Sequence, residues 1–311
     1  MPARVAILIP AYNSARTIAE ALDSLQQQLS QARTDVKVYL TDDGSKDDTV
    51  AVARKTWQAP VPLRIIIRER NLGQWPNKNA ALAEIATDTD WVLILHADDT
   101  VRREWLSVLL DRISRCPDTV GTISTGWKNL EIQNPVPGAE DQGEPAIRLI
   151  KGTPESVRGA LLKGCWWLIS GCAIRLAAFQ DVGPFDNRFR YGGDYDWFLR
   201  CLNKGWDVEF VDKNLTFRRH HATSVAGQSL LRHVDIRDYT ILYNRYASVL
   251  SLPEIFGLHG KACMTLLRRM VRSILNRNMR RFLGAWGTLF WIVSELPMAV
   301  VWPRIRLRQV R

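Results

Sequence analysis

Along the first 125 residues, apolar and polar positions repeat in one order: a short, mostly apolar run, a polar turn, then a longer stretch with apolar positions spaced three and four apart. The apolar runs fall at residues 4–9, 36–40, 63–67, 92–95 and 120–124 and are predicted to be strands. Between them, Ile18, Ala21, Leu22 and Leu25 share one face of a helix, a second helix runs to about Ala86, and a third spans Arg102 to Arg115. The order β-α-β-α-β-α-β, each strand ending in a polar turn, predicts a parallel, doubly wound sheet. Ligands of such sheets bind beyond the carboxyl ends of the strands. The turns PAYN, TDDG and HADD at those ends are therefore the places to look for chemistry.

The stretch WVLILHADDT delivers Asp98 and Asp99 just past the fourth strand. Adjacent carboxylates repel unless a cation or hydrogen-bond donors lie against them, which suggests a divalent metal on oxygen ligands. Taken alone, such a pair at a strand-to-helix turn is more often a helix cap. In TDDGSKDDT, Gly44 allows a tight turn and Ser45 with Asp48 reads as a capping box. That makes Asp47 and Asp48 structural and leaves Asp42 and Asp43 to face a ligand.

Beyond residue 125 the pattern is less regular. Residues 126–145 carry four acids and three prolines and read as a surface excursion over the site. A helix at 154–163, a strand-like segment GCWWLISGCAIR and a turn at Gly183 and Pro184 follow. Trp197, Phe198, Cys201 and Leu202 then mark a helix face, with Asp194 at its start and Asp196 in its first turn, positions that also suit an N-cap and a first-turn charge. After the strand-like DVEFVD comes a loop holding the pair His220 and His221.

Composition narrows the classes. With 311 residues and 46% hydrophobic content the chain has the material for a large core. Its five cysteines are scattered without CxxC spacing, which argues against a disulfide framework or zinc site and fits a reducing cytosol. The apolar run after Met1 is short, closed by Pro10, and reads as a first strand, not a signal peptide. There is neither GxGxxG nor a P-loop, so phosphates of a bound nucleotide need another source of charge compensation, for which a carboxylate-held metal is suited. The formal net charge of +10 is confined to the tail: residues 261–311 hold eleven basic residues against Glu295 alone, and the first 260 are formally neutral.

Taken together, VAILIPAYNSARTIAEALDSL, VYLTDDGSKDDT, NLGQWPNKNAAL, WVLILHADDT, ISGCAIR, GPFDNRFRYGGDYDWFLR and FRRHHATSVAG, in that order over residues 4–227, resemble family 2 inverting glycosyltransferases of the GT-A type. The resemblance implies a GT-A, Rossmann-like α/β fold with a mainly parallel sheet and a catalytic domain over residues 1–228; beyond it, residues 229–311 read from their own pattern as a helical, membrane-associating extension. It places Pro10, Ala11 and Tyr12 at the rim of the nucleotide pocket, Asp43 on the base, Asn71 and Lys78 under the sugar nucleotide with Lys78 on the diphosphate, and Asp98 toward the ribose. Asp99 falls at the metal position, with His220 approaching the metal or diphosphate, and Asp194 at the general base. Trp166, Trp167 and Gly193 lie on the sugar side, one tryptophan expected to stack on sugar and the other to enter the core. The implied cofactor is Mg²⁺ or Mn²⁺. The implied partners are a nucleotide-sugar donor, UDP-linked by preference, and a glycan or polyprenyl-diphosphate-linked acceptor. Two departures stand out: His96 occupies a position that is commonly Asp, leaving the metal to Asp98 and Asp99, and the base motif reads Gly193-Asp194 where Glu-Asp is usual.

The chemistry agrees with these types. Moving a sugar off a nucleotide with inversion, expected here as hexosyl transfer in bacterial cell-surface polysaccharide assembly, needs a carboxylate to deprotonate the acceptor hydroxyl and a cation to stabilise the departing diphosphate. In the tail, Leu266, Leu267, Met270, Val271 and Ile274 alternate with Arg268, Arg269, Arg272 and Arg277 as a basic amphipathic helix. Residues 282–302 are long enough to span a bilayer, but Gly284, Gly287, Glu295 and Pro297 interrupt them and both flanks are basic. This favours a segment in or looping through the inner leaflet over a crossing, and a cytoplasmic enzyme peripheral on the inner membrane face through residues 261–311. The alternatives are helices packed on the catalytic domain or on a second copy in a homo-oligomer. A non-catalytic membrane-attached sugar-nucleotide or glycan-binding module is the rival function, and no nucleic-acid role is expected, because the basic residues interleave with Leu, Ile, Val, Phe and Trp.

Overall fold

Parallel strands covered on both faces must be apolar nearly throughout, and the first strand shows it: Val5 to Ile9 are five consecutive buried residues. In this computed structural model, which describes residues 3–29, 36–130, 145–219 and 225–309, the elements run β1 (Val5–Ala11), α1 (Ile18–Leu29), β2 (Val36–Asp42), α2 (Thr49–Thr56), β3 (Leu63–Ile67), α3 (Gln74–Ile85) and β4 (Trp91–Ile94). Then come β5 (Thr100–Val101), α4 (Trp105–Arg115), β6 (Val120–Leu130), β7 (Ala146–Ile150), α5 (Pro154–Lys163), β8 (Ala173–Arg175), α6 (Leu176–Val182), α7 (Gly193–Asn203) and β9 (Asp207–Arg219). Four further helices, α8 (Val225–Leu231), α9 (Val234–Arg245), α10 (Leu252–Leu275) and α11 (Met279–Gln309), end the described chain.

The chain divides into two compact units, one of Met1–Gly152, Trp167–Asn187 and Arg200–Arg219, the other of Thr153–Trp166, Arg188–Leu199 and His220–Arg311. The first holds a single sheet in the order β3-β2-β1-β4-β8-β6-β9-β5, with β7 also on β9. The predicted parallel sheet is found over β3, β2, β1 and β4. Past β4 the sheet is mixed: β8 runs antiparallel to β4 and β6, β9 is parallel to β6, and β5 and β7 are antiparallel to β9. Strand direction is set by the connections, and the hydrophobic pattern does not carry it.

Three boundaries differ from expectation. The fifth strand continues to Leu130, so residues 126–130 belong to β6, and most of the expected excursion lies outside the described residues. Of the strand-like 164–175 only Ala173–Arg175 pairs, because Gly171 turns the backbone at φ 89°. DVEFVD and the residues after it form one strand to Arg219. The core of this unit gathers Ile7, Leu22, Val38, Leu40, Leu93, Leu95, Trp105 and Leu109, each aliphatic contributing about 1.5–3 kcal/mol on burial.

In the second unit, α10 starts at a capping box in which Ser251 and Glu254 cap each other's backbone amides. Ile236, Ala262, Leu266, Met270, Ala285 and Ile292 bring α9, α10 and α11 together, and Arg269 grips Asp235 through two bonds of 2.9 and 2.6 Å. The amphipathic face predicted on α10 divides: Leu266 and Met270 enter this core, whereas Leu267, Val271 and Ile274 are exposed. Among the described residues no helix is long and apolar enough to cross a membrane.

Candidate functional site

Because β1 connects to β2 on one side and β4 lies on its other side, the carboxyl ends of β1 and β4 mark the point where strand order reverses, the usual ligand position of such sheets. The two turns that leave there are tied together. Leu95 N–H donates to Leu8 O (3.1 Å), Ala97 N–H to Pro10 O (3.3 Å), and the Thr17 hydroxyl to Ala97 O (2.9 Å). The HADD turn closes on itself through Asp99 N–H to His96 O (3.1 Å), then enters β5, whose partner β9 brings Arg219 alongside. Arg219 donates its N–H to Asp99 Oδ1 (2.9 Å) and its Nε to Asp98 O (3.2 Å), while its guanidinium also pairs with Glu20. Ser170 accepts His96 N–H (3.1 Å), and its hydroxyl also bonds the Asp99 carboxylate. Only glycine fits next to it, since a Cβ on Gly171 would lie 1.9 Å from Thr216 Oγ1. His96, Asp98 and Asp99 thus offer ligand atoms all within 4.8 Å of one another.

The electrostatics suit a cation. Asp99 is 2% exposed, and burial together with the neighbouring Asp98 carboxylate pushes its carboxyl up to about 7, against the bonds from Ser170 and Arg219. Burial, then Lys78 and Arg218, hold the His96 imidazole well below its ordinary value, so it is neutral and keeps a lone pair. Its Nε2 is buried with no hydrogen-bond partner among the described residues. Repelling carboxylates beside an orphaned imidazole nitrogen fit a divalent ion. His96, expected to shift the weight of a metal site onto Asp98 and Asp99, lies in the same group as both carboxylates.

Around the nucleotide positions, Tyr12 is 46% exposed at the end of β1, with Pro10 half-buried and Ala11 buried. Asp42 and Asp43 are not free as expected. Asp42 closes the TDDG turn, accepting Ser45 N–H (2.9 Å) and Oγ (2.5 Å). Asp43 accepts Leu72 N–H (2.8 Å) and Gly73 N–H (2.9 Å), tying residues 70–73 to the end of β2; burial raises its carboxyl while those two amides lower it. Gly44 is required twice over, by φ 70° and by the Arg70 carbonyl carbon 2.8 Å from where a Cβ would stand. Ser45 therefore serves Asp42 and forms no capping box with Asp48; Asp47 braces the turn instead, accepting Thr49 N–H, Thr49 Oγ1 and Ala15 N–H. Asn71 is exposed, whereas Lys78 is buried with its ammonium 4.6 Å from the Trp75 ring centroid.

Sequence reasoning missed Ser170 and Arg218. Both lay inside quoted motifs, ISGCAIR and FRRHHATSVAG, but only packing shows the hydroxyl bridging His96 and Asp99, and the Arg218 guanidinium acting on both. Trp167 is in the core, 3% exposed, with Nε1 donating to Thr122 Oγ1 (3.3 Å).

In the second unit, Asp194 is half-buried in the first turn of α7 and accepts Tyr195 N–H (2.9 Å). The segment before it is held by Asp238 of α9, whose Oδ2 accepts the N–H groups of Arg190 (3.1 Å), Tyr191 (2.7 Å) and Gly192 (2.9 Å). Gly193, at the start of α7, is buried. Asp196 is fully buried and paired with Arg245, which packs over Phe189. Trp166 is half-buried, edge-on to Phe198 at 5.1 Å. His220 lies outside the described residues.

Comparison with known proteins agrees with this architecture. The family described as glycosyl transferase family 2 matches residues 6–137. The succinoglycan biosynthesis protein ExoU of Rhizobium meliloti is 35% identical over 289 residues, covering 91% of this chain and 79% of ExoU. Glycosyltransferase AglE of Haloferax volcanii is 26% identical over 208 residues, 67% of this chain and 64% of AglE, so the match spans just under two thirds of that relative. Among solved structures, glucosyl-3-phosphoglycerate synthase from Mycobacterium tuberculosis, in complex with Mn²⁺, uridine diphosphate and phosphoglyceric acid, is similar with a TM-score of 0.53 at 18% identity, covering 78% of each chain. The chain belongs to glycosyltransferase family 2, with a GT-A type fold.

Proposed function

We propose that this protein is an inverting glycosyltransferase that uses a divalent metal, Mg²⁺ or Mn²⁺, to move a hexosyl group from a UDP-sugar to a hydroxyl of a glycan carried on a polyprenyl diphosphate, in cell-surface polysaccharide assembly. The observation that carries it is the group His96, Asp98 and Asp99 beside Pro10 to Tyr12 at the strand-order reversal. In this reading Tyr12, Asp43 and Asn71 receive the nucleoside, Asp98 and Asp99 hold the cation with His220, and Lys78 and Arg218 add positive charge toward the diphosphate. A bound divalent cation supplies neutralisation of the leaving diphosphate. Asp194 takes the proton from the acceptor hydroxyl, and Trp166, the half-buried tryptophan, faces sugar. The relatives support the substrate class: ExoU is named for succinoglycan biosynthesis, and the mycobacterial synthase was crystallised with UDP and Mn²⁺.

The same proposal places residues 1–228 as the catalytic domain and 229–311 as the part that meets the inner face of the cytoplasmic membrane. Two stripes support it. On α11, Met279, Leu283, Trp286, Phe290 and Val293 are exposed at spacings of four and three, one face of a helix, and on α10 so are Met264, Leu267, Val271 and Ile274. Arg268, Arg272, Arg277 and Arg280 lie among them, as anionic lipid requires. The test is transfer from UDP-hexoses to a polyprenyl-diphosphate-linked acceptor with Mn²⁺, reading product anomer by NMR. Asp194→Asn is expected to abolish transfer and keep UDP binding; normal turnover by that variant would remove Asp194 from the mechanism. Flotation without binding to anionic liposomes, with a dimer in solution, would assign the stripes to a second copy.

A further inference from the structure

We infer that His96 is itself a ligand of the metal, through Nε2, and that its nitrogen makes the site select Mn²⁺-like transition ions over Mg²⁺. The inference rests on the metal-dependent reading above and adds the donor that the carboxylate motif does not supply. Four observations carry it. The imidazole offers a nitrogen within 4.8 Å of the oxygens that Asp98 and Asp99 offer, so the three side chains gather their donor atoms in one place. Nε2 is buried and unpaired among the described residues, an arrangement that is costly for a polar group unless something binds its lone pair. The turn is closed by Asp99 N–H to His96 O (3.1 Å), which brings positions 96 and 99 together by backbone geometry. Finally, the Ser170 hydroxyl accepts the His96 backbone N–H at 3.1 Å and bonds the Asp99 carboxylate, which ties the backbone at position 96 to the side chain at position 99.

The donor set decides the ion. Mg²⁺ binds oxygen at near-ideal octahedral geometry and keeps its waters, whereas imidazole favours transition ions, with affinity rising from Mn²⁺ through Co²⁺ to Ni²⁺. Two carboxylates with one imidazole therefore favour Mn²⁺ or Co²⁺ over Mg²⁺ more than the same turn would with Asp in place of His96.

The experiment is pulsed EPR of Mn²⁺ bound to the full chain, alone and with UDP. The expected result is a ¹⁴N coupling from coordinated imidazole that changes to the ¹⁵N pattern when histidine is ¹⁵N-labelled, that persists in His220→Gln, and that disappears in His96→Gln. In His96→Asp, Mn²⁺ still binds without nitrogen coupling, and the ratio of Mn²⁺ to Mg²⁺ affinity falls about tenfold. A wild-type Mn²⁺ complex with no nitrogen coupling overturns the inference without needing any variant to fold, as does coupling that survives His96→Gln, or no Mn²⁺ binding at all. The two readings fail separately. Sugar transfer with an all-oxygen Mn²⁺ site removes His96 and keeps the enzyme, whereas His96 coupling in a protein that transfers no sugar keeps the ligand and removes the enzyme.

Discussion

In the first unit the apolar runs from Val5 to Ile9 and from Trp91 to Leu95 end fully covered, and what emerges at the carboxyl end of the second is charge. In the second unit, α10 and α11 cover one face with Leu266, Met270, Ala285 and Ile292 and leave the other face of both helices apolar and exposed. A surface that completes its own core has charged residues to place at a site. A helical pair with a second apolar face has a surface that water does not favour, and in the proposed reading its arginines suit an anionic neighbour. In the proposed reading the contrast is one of chemistry against attachment.

The comparison breaks hardest at Asp99. Asp99→Ala removes a cluster carboxylate together with the acceptor for Arg219 N–H, and is expected to lower transfer about a thousandfold or more and to abolish Mn²⁺-dependent thermal stabilisation by UDP. An unchanged stabilisation would mean that the charge of the first unit holds no metal. Next is Asp238→Ala, which strips three amides of their acceptor in the second unit. A loss of about 2–4 kcal/mol in stability by denaturant titration is expected, with acceptor turnover falling while UDP binding stays. Retained turnover would show that the segment before Asp194 needs no anchoring. Replacing Trp286 and Phe290 with Gln is expected to weaken liposome partitioning about tenfold per side chain without lowering the melting temperature, because both are exposed. A lowered melting temperature would instead mark these rings as core.

The smallest effects are those of pH. His233 and His259 are held below their ordinary values chiefly by burial, so the folded state prefers them neutral. Unfolding then takes up protons once pH falls below about 6.5, and stability is expected to drop there, by about 3 °C in melting temperature for each kcal/mol lost. Glu254 acts later in the same titration. Arg158, then Ser251, hold its carboxyl at about 2, so its contribution is complete above the ordinary value and fades as pH falls toward about 2. Glu254→Gln should flatten that last acid limb, and an unaltered limb would leave the α10 cap without a part in acid stability.

Much of the site was legible because its residues lie in short motifs at strand ends. Asp98, Asp99 and Lys78 were named from such motifs, and all three take part in the interactions of the group. That Asp43 would be occupied was not legible, since the amides that occupy it belong to Leu72 and Gly73, 29 and 30 residues on. Nor was the placing of His96, whose only sequence signal was that it departs from a carboxylate.

The order of apolar runs, polar turns and helical stretches determined that a parallel sheet would open the chain, which turns would carry charge, and that the tail would be helical, because a helix between two strands returns the chain to start the next strand in the same direction. Tertiary structure decided the mixed directions beyond β4, the division of the α10 face between Leu266 and Leu267, the choice of Trp167 for the core, and the joining of Asp99 to Arg219 across 120 residues and of Gly192 to Asp238 across 46. Each of these depends on which distant backbone group comes to lie beside a side chain, and local spacing holds no record of that.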